Sequence, residues 1–169
     1  MNNIILIGFM GCGKSTVGMR LSYRLHRIVE DTDKLIEKKE GISISEIFKE
    51  KGEACFRLLE TECLQELLQD KTEKIISTGG GLPVNPKNHG LLKELGQVVY
   101  LKISPETVWE RLKNDTSRPL LQCENPLEKI RELLAKREAC YEAAAQITIL
   151  VDGKSMEQIL EEIVEKTKE

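Results

Sequence analysis

A glycine-rich segment near the start of the chain, residues 8–15, constrains the fold more than any other feature. Its sequence, GFMGCGKS, has the spacing G-x-x-x-x-G-K-[ST] and lies between an apolar run at residues 4–7 and a helix-period segment at residues 14–25. Glycines at this spacing let the backbone curl until successive N–H groups point inward at the first turn of a helix, forming a concave anion site. The segment therefore predicts a strand, a polyphosphate-binding loop and a helix, in that order.

The polar side chains at the end of this loop match the needs of a bound polyphosphate. Lys14 is expected to reach the β- and γ-phosphates as a point charge, and the Ser15 hydroxyl to ligate the Mg²⁺ that bridges them. Thr16 is expected to add a hydroxyl to the α-phosphate. A glycine-rich turn that only joins strand to helix is the alternative. Cys12 is either a small loop residue or a thiol activated by the helix N-terminus, which alkylation of the nucleotide-free protein would test.

Composition limits the class of protein. The chain has 169 residues and a formal charge of −3, with no concentration of Lys and Arg, which argues against a nucleic-acid surface. No apolar run approaches the length of a membrane span, and the chain starts directly with a predicted strand rather than a signal peptide. Five cysteines without a C-x-x-C pair and two histidines indicate neither a disulfide framework nor a zinc site. We expect one domain, residues 1–169, acting as a cytoplasmic monomer without nucleic-acid or membrane partners.

Apolar runs of strand length alternate with amphipathic helical stretches along the chain. Strands are predicted at residues 4–7, 28–29, 74–77, 97–103 and 147–151, and helices at 14–25, 33–39, 45–51, 53–69, 86–95, 105–112, 126–144 and 156–166. Helix-start signals agree at Ser43 with Glu46, Asn85-Pro86, Ser104-Pro105 and Asn125-Pro126. The alternation predicts an α/β fold with a parallel, doubly wound sheet, whose ligands gather at the carboxyl ends of the strands.

Two of these strand ends carry further candidate groups. Asp31-Thr32-Asp33 follows the second strand, and in an extended segment both carboxylates face the same side, toward metal and acceptor. A helix N-cap followed by an acidic first turn is the alternative. The third strand is followed by three glycines, Gly79-Gly80-Gly81, which favour a second binding wall over a simple left-handed connection.

Three arginines occur in separate places, Arg57, Arg118 and Arg137. Each alone is most simply a solvated surface charge. Arg137 and Tyr141 stand four residues apart, so a helix would place them on one face.

Together, the segments GFMGCGKST, DTD, GEACFR, STGGG and SRPLL and the R-x-x-x-Y that starts at Arg137 resemble the shikimate kinases over nearly the whole chain. The resemblance implies a P-loop NTPase fold, a three-layer α/β sandwich with a five-stranded parallel sheet in the order 2-3-1-4-5. It implies phosphoryl transfer from MgATP to the 3-hydroxyl of shikimate, giving shikimate 3-phosphate and ADP, on the route to chorismate and the aromatic amino acids.

The resemblance also implies roles for individual residues. The catalytic residues would be Lys14, Asp33 and Arg118. ATP would be bound by Gly11, Cys12, Gly13, Lys14, Ser15, Thr16, Arg111, Arg118 and Lys154. Shikimate would be bound by Asp33, Arg57, Gly79, Gly80, Gly81 and Arg137, with Phe48, Phe56 and Glu60 in the pocket wall. Core packing is the alternative for the two phenylalanines. Mg²⁺ would be held by Ser15 and, through water, by Asp31. A helical shikimate-binding region is implied at about residues 34–60 and a lid at about residues 113–124.

Two residues depart from the family pattern. Glu30 adds a third carboxylate before Asp31, and strand alternation predicts that its side chain points away from the metal site. His26 stands near the end of the first helix where the family often has glycine.

Two rival functions share the phosphate loop. One is a kinase for another polyol acid such as gluconate, and the other is a nucleotide sensor or switch GTPase. The GTPase alternative lacks the N-K-x-D segment expected to read guanine.

Overall fold

The centre of the molecule is a parallel sheet, seen in a computed structural model that describes residues 2–118 and 121–168. Within that part of the chain the sheet has five strands, β1 (Asn3–Ile7), β2 (Ile28–Asp31), β3 (Lys74–Ser77), β4 (Gly96–Lys102) and β5 (Ile147–Leu150). Their order is β2-β3-β1-β4-β5, which confirms the predicted order 2-3-1-4-5. Strands β1 and β3 are buried along their whole length, as expected for a sheet covered on both faces.

Helices cover both faces of the sheet and make the outer layers of the sandwich. They are α1 (Lys14–Leu25), α2 (Thr32–Glu40), α3 (Ile44–Gln69), α4 (Lys87–Leu95), α5 (Pro105–Leu112), α6 (Pro126–Ala144) and α7 (Met156–Thr167), with a 3₁₀ turn at Leu82–Val84. Helix α1 packs against β2, β3 and α7, whereas α4 packs against β1, β4 and α6. Among residues 2–118 and 121–168, no helix is both long and apolar enough to cross a bilayer.

Most predicted boundaries agree with the structure, and the differences have physical reasons. Strand β2 is two residues longer than predicted because Glu30 and Asp31 continue its pairing with β3, opposite Ile76 and Ser77. The strand lies at the sheet edge and is only partly buried, so polar residues are tolerated in it.

The helix predicted to begin at Pro86 begins one residue later. Pro86 occupies the N-cap position, and Asn85 Oδ1 accepts a hydrogen bond of 3.1 Å from the Lys87 N–H. Ser104 and Asn125 cap their helices as predicted, each with proline in the first turn.

The two helices predicted at residues 45–51 and 53–69 are the two arms of α3, which is broken at Gly52. That residue has φ 84° and ψ 168°, far from helical values. Glycine adopts this backbone conformation without the steric penalty that a side chain would bring. The break redirects the second arm, which carries Arg57 and Glu60.

The structure shows the surroundings of Glu30 and His26, the two residues that depart from the family pattern. Glu30 Oε1 lies 3.0 Å from Lys74 Nζ, in an ion pair within the sheet edge. His26 ends α1 in the left-handed conformation at φ 53°. Glycine is favoured at that helix position for the same backbone reason.

Candidate active site

The phosphate loop joins β1 to α1 at the carboxyl edge of the sheet. Gly11 and Gly13 have φ angles of 76° and 96°, which side chains rarely allow, and Gly13 is the N-cap of α1. Gly13 has no side chain with which to cap the helix. The N–H groups of the first turn are therefore available to an anion, which the helix dipole also favours.

Lys14 places its charge inside this loop. Its Nζ donates to the carbonyl oxygens of Gly8 at 2.6 Å and Phe9 at 3.2 Å, and lies 3.6 Å from Cys12 Sγ. The ammonium is thereby held beside the backbone that forms the anion site. Cys12 itself is 1% exposed.

The Asp31-Thr32-Asp33 segment combines both interpretations that the sequence left open. Asp31 is the N-cap of α2, with Oδ1 accepting from the Lys34 N–H at 3.2 Å, and Asp33 lies in the acidic first turn. Both carboxylates also line the same cleft as the phosphate loop. The capping role therefore orients the site rather than competing with it.

Ser15 and Asp31 fit a magnesium ion. Both line the cleft, and the Asp31 carboxylate has its second oxygen left over from capping. Mg²⁺ commonly takes one or two protein oxygens and completes its octahedron with water and phosphate oxygens. One hydroxyl and one carboxylate beside a phosphate loop suit that chemistry, and they are too few to make a preformed protein cage.

Asp33 is the most perturbed carboxylate of the cleft. Burial raises its pKa from 3.8 to about 6, and the negative charge of Asp31 adds to the shift, while Lys14 and Arg57 partly offset it. Its Oδ1 is buried and has no hydrogen-bond partner among the described residues. A buried acceptor of this kind is suited to a hydroxyl group of a bound molecule.

The three consecutive glycines each face a different charged side chain. A Cβ at Gly79 would lie 2.7 Å from Asp33 Oδ1, and one at Gly80 would lie 3.5 Å from Arg137 Nη1. A Cβ at Gly81 would overlap the guanidinium of Arg57. The glycines thus let Asp33, Arg57 and Arg137 converge on one short stretch of backbone.

The two arginines are held by different partners. Arg57 Nη1 donates to Glu60 Oε1 at 2.6 Å, and Glu60 is buried, which raises the pKa of its carboxyl to about 7 although Arg57 opposes the shift. The Arg137 guanidinium lies 5.8 Å from the centre of the Phe9 ring, within range of a cation–π contact. Arg57 thus already donates to a carboxylate, whereas Arg137 lies against an aromatic ring.

A cleft of about 390 Å³ brings these groups together. It is lined by Met10, Gly11, Gly13, Lys14, Ser15, Thr16, Asp31, Asp33, Ser77, Thr78, Gly79, Gly80, Gly81, Arg118 and Arg137. Most residues predicted from the sequence are in this lining. Seven predicted residues are outside it: Cys12, Phe48, Phe56, Arg57, Glu60, Arg111 and Lys154. Cys12, Phe56 and Glu60 are buried, Phe48 is exposed, and the Arg57 guanidinium lies beside Gly81.

Arg111 and Lys154, both predicted to bind ATP, lie outside the cleft lining. Arg111 Nη1 donates to the Gly11 carbonyl at 2.9 Å, which places its guanidinium beside the phosphate loop. Asp152 accepts hydrogen bonds from Ser104 N at 3.0 Å, from Ser104 Oγ at 2.8 Å and from Thr107 Oγ1. These bonds attach the 152–155 loop to the start of α5, the helix that carries Arg111.

Lys154, in the same loop, pairs with Glu162 of α7 at 2.5 Å. Its predicted contact with ATP therefore requires the ammonium to leave or share this partner.

The predicted lid at residues 113–124 is described only in part. Arg118 lines the cleft, with its Nε 3.8 Å from Asp115 Oδ2. Pro119 and Leu120 lie outside the described residues.

Sequence analysis missed several contributions to the site, among them Ser77 and Thr78 of the cleft lining. Met10 lines the cleft, and no chemical property of a methionine inside the loop pattern predicts this. Tyr141 donates its hydroxyl to the Gly80 carbonyl at 2.7 Å and so supports the glycine wall. Its spacing of four from Arg137 was the available signal.

Known proteins share this fold and these motifs. A shikimate kinase family model matches residues 10–168. The chain is 48% identical over 168 residues to the shikimate kinase of Sulfurihydrogenibium sp., covering 99% of both chains. The structure of a shikimate kinase from Acinetobacter baumannii in complex with shikimate aligns with a TM-score of 0.88 at 40% identity, over 98% of this chain and 92% of the other.

A gluconokinase from Sinorhizobium meliloti aligns with a TM-score of 0.60 but is only 15% identical, over 98% of this chain and 91% of the other, so it shares the fold alone. The family match and the 48% identity extend over the acceptor-side motifs as well as the phosphate loop. On these grounds the chain belongs to the shikimate kinase family.

Proposed function

We propose that this protein transfers the γ-phosphoryl group of ATP to the 3-hydroxyl of shikimate, giving shikimate 3-phosphate and ADP on the route to chorismate and the aromatic amino acids. The main supporting observation is the convergence of Asp33, Arg57 and Arg137 on the three glycines, which share one cleft with the phosphate loop. This geometry provides two cations and one hydroxyl acceptor beside a donor site.

Arg57 and Arg137 bind the carboxylate of shikimate in this proposal. A planar guanidinium donates two parallel hydrogen bonds to a carboxylate, which gives orientation as well as affinity. Both arginines approach the backbone of residues 79–81, which in this proposal contacts the ring of shikimate. The helical region at about residues 34–60 supplies Arg57 and the wall formed by Phe48, Phe56 and Glu60.

Asp33 orients the acceptor hydroxyl. Its unpartnered Oδ1 accepts the hydrogen bond of that hydroxyl, which aligns the oxygen lone pair with the γ-phosphorus. As the new P–O bond forms, the hydroxyl proton passes to the Asp33 carboxylate. A pKa of about 6 keeps this group ionised at pH 7 yet basic enough to take the proton.

The donor side neutralises the charge of the transferring group. The N–H groups of residues 11–16 surround the phosphates, Lys14 bridges the β- and γ-positions, and Arg118 approaches from the lid at residues 113–124. Ser15 and Asp31 would hold Mg²⁺, which when bound neutralises the charge that develops on the phosphate oxygens. Arg111 and the loop with Lys154 enclose the base.

The test is ADP release coupled to lactate dehydrogenase, with MgATP and either shikimate or gluconate as acceptor. Shikimate-dependent ADP, with a product whose mass is that of a shikimate monophosphate, is the expected result. Gluconate-dependent ADP without shikimate-dependent ADP would overturn the assignment. Lys14→Met serves as the matched negative control, and light scattering tests the expectation of a monomer.

A further inference from the structure

Thr32 stands between two carboxylates of the site, yet its own side chain is buried away from the cleft. It is 0% exposed and is not part of the cleft lining, whereas Asp31 and Asp33 on either side both line it. A hydroxyl that is buried in this way needs a hydrogen-bond partner inside the protein. The sequence pattern assigns it no role beyond helix capping preference.

The partner of Thr32 belongs to the glycine wall. Its Oγ1 accepts a hydrogen bond of 3.1 Å from the Gly79 N–H. The bond connects the start of α2, which carries Asp33, to the loop after β3. These segments are 47 residues apart in sequence.

Gly79 is also the glycine that touches Asp33. An added Cβ there would lie 2.7 Å from Asp33 Oδ1, so backbone and carboxylate are already in close contact. One residue earlier, Thr78 is held to the Leu6 carbonyl of β1 by its N–H at 3.1 Å and its hydroxyl at 3.2 Å. The wall is thus attached on one side to β1 and on the other, through Thr32, to α2.

We infer that Thr32 is a positioning residue for the acceptor: by holding the Gly79 amide, its hydroxyl fixes the spacing between Asp33 and the glycine wall that receives shikimate. Thr32 does this without touching either substrate. The inference rests on the proposed function, because it assigns the wall to shikimate.

Loss of this hydroxyl leaves the Gly79 N–H without its protein partner. The amide then turns toward water in the cleft, and the wall moves relative to Asp33. Because a displacement of about 1 Å can slow an oriented reaction on the order of 100-fold, we expect kcat/KM for shikimate to fall about 10- to 100-fold. The phosphate loop is attached elsewhere, so the KM for ATP should change less than about twofold.

Thr32→Val tests this, since valine keeps the shape of threonine and removes only the acceptor. Thr32→Ser restores a hydroxyl and should recover most of kcat/KM. Thr72→Val, at an exposed threonine before β3 near the opposite end of that strand, is the matched control and should leave the kinetics unchanged. Equal losses for ATP and shikimate, or no rescue by serine, would assign Thr32 a purely structural role and overturn the inference.

An activity-independent measurement separates this inference from the proposed function. Hydrogen exchange of the Gly79 amide, followed by NMR on ¹⁵N-glycine-labelled protein, should be faster in Thr32→Val and near wild type in Thr32→Ser. Unchanged exchange in Thr32→Val contradicts the bond itself. If wild-type protein gives no shikimate-dependent ADP, the proposed function fails and with it the assignment of the wall to shikimate, whatever the exchange result.

Discussion

The two halves of the cleft are built in different ways. The donor half, residues 8–16, is made mainly of backbone: glycine angles, a helix N-terminus and one lysine. The acceptor half, formed by Asp33, Arg57, Arg137 and residues 79–81, is made of charged side chains from three helices that meet at a short glycine backbone. One half is fixed by local sequence and the other by tertiary packing.

Because they are built differently, the donor half is expected to bind its ligand with little specificity and the acceptor half with high specificity. A backbone anion site accepts any suitable polyphosphate. The acceptor half carries electrostatic strain instead, because burial raises the pKa of Asp33 to about 6 and that of Glu60 to about 7. Selectivity for the acceptor is therefore expected from side chains whose burial is electrostatically costly.

The largest effect is expected in the donor half. Lys14→Met removes the positive charge beside the phosphates, and kcat/KM should fall on the order of 10³-fold, as when a preorganised charge-stabilising group is lost. Initial rates of ADP formation at saturating shikimate measure this, with circular dichroism to verify the fold. A loss of less than about tenfold would mean that the backbone N–H groups of the donor half stabilise the phosphates without the charge of Lys14.

Asp33→Asn should separate activity from stability. The amide still accepts a hydrogen bond but cannot take a proton, so kcat should fall on the order of 100-fold. Wild-type kcat/KM for shikimate should also decline as the pH falls through about 6, where Asp33 of the free enzyme becomes protonated, and the variant should lose this dependence. A pH–rate profile of both proteins checks this. A normal kcat for Asp33→Asn would mean that Asp33 has only a structural role.

The same substitution should stabilise the folded state. The pKa of Asp33 is raised from 3.8 to about 6, so ionisation opposes folding: the penalty is absent below pH 3.8, grows up to about 6 and is complete above it. After discounting for partial exposure, Asp33→Asn should gain about 1 kcal/mol at pH 8, or roughly 2–4 °C in Tm. The gain should shrink at pH 5. Thermal unfolding at both pH values measures this gain in stability. Equal Tm values for wild type and variant at pH 8 would contradict the expected cost of ionising Asp33.

Arg57→Ala should change the KM for shikimate but not the KM for ATP. Loss of a charge-assisted hydrogen bond, about 1.5–3 kcal/mol, should raise the KM for shikimate about 10- to 100-fold and leave the KM for ATP within about twofold. The KM of Arg57→Lys for shikimate should lie between those of the wild type and Arg57→Ala, because an ammonium gives no bidentate contact.

Arg57→Ala also leaves Glu60 without its buried partner. The double variant Arg57→Ala/Glu60→Gln removes that unpaired charge and is the matched control. Recovery of the shikimate KM in the double variant would mean that the single variant acts through Glu60 rather than through substrate.

The smallest effect, none, is expected for alkylation of Cys12. The thiol is 1% exposed behind the loop, so iodoacetamide should not reach it in the native protein without nucleotide. A Cys123→Ser background removes the exposed thiol near the lid. Mass spectrometry locates the label. Loss of activity together with a label on Cys12 would mean that this thiol is accessible and reactive in the native protein.

The donor half was predictable because its information is local. Gly11, Gly13, Lys14 and Ser15 lie in one segment, and the alternation of strands and helices sufficed for the fold class. The sheet order came from the family resemblance. The assignment of the acceptor residues to shikimate also came from it, since an isolated arginine such as Arg57 is indistinguishable from a surface charge.

Other features could not be predicted from local sequence. The bond from the Gly79 N–H to Thr32 depends on a tertiary distance that no spacing rule provides, and the spacing of Tyr141 from Arg137 indicates a shared helix face but not its bond to Gly80. The extension of β2 through Glu30 and Asp31 depends on edge-strand pairing, which polar residues conceal.

The crowding of residues 79–81 also bears on drug resistance. Any side chain at position 79 or 81 would overlap Asp33 or Arg57, and one at position 80 would stand against Arg137. A substitution that excluded an inhibitor from this backbone would thus displace the side chains proposed to bind shikimate. Compounds that bind the main chain of residues 79–81 should therefore leave the enzyme few viable escape mutations.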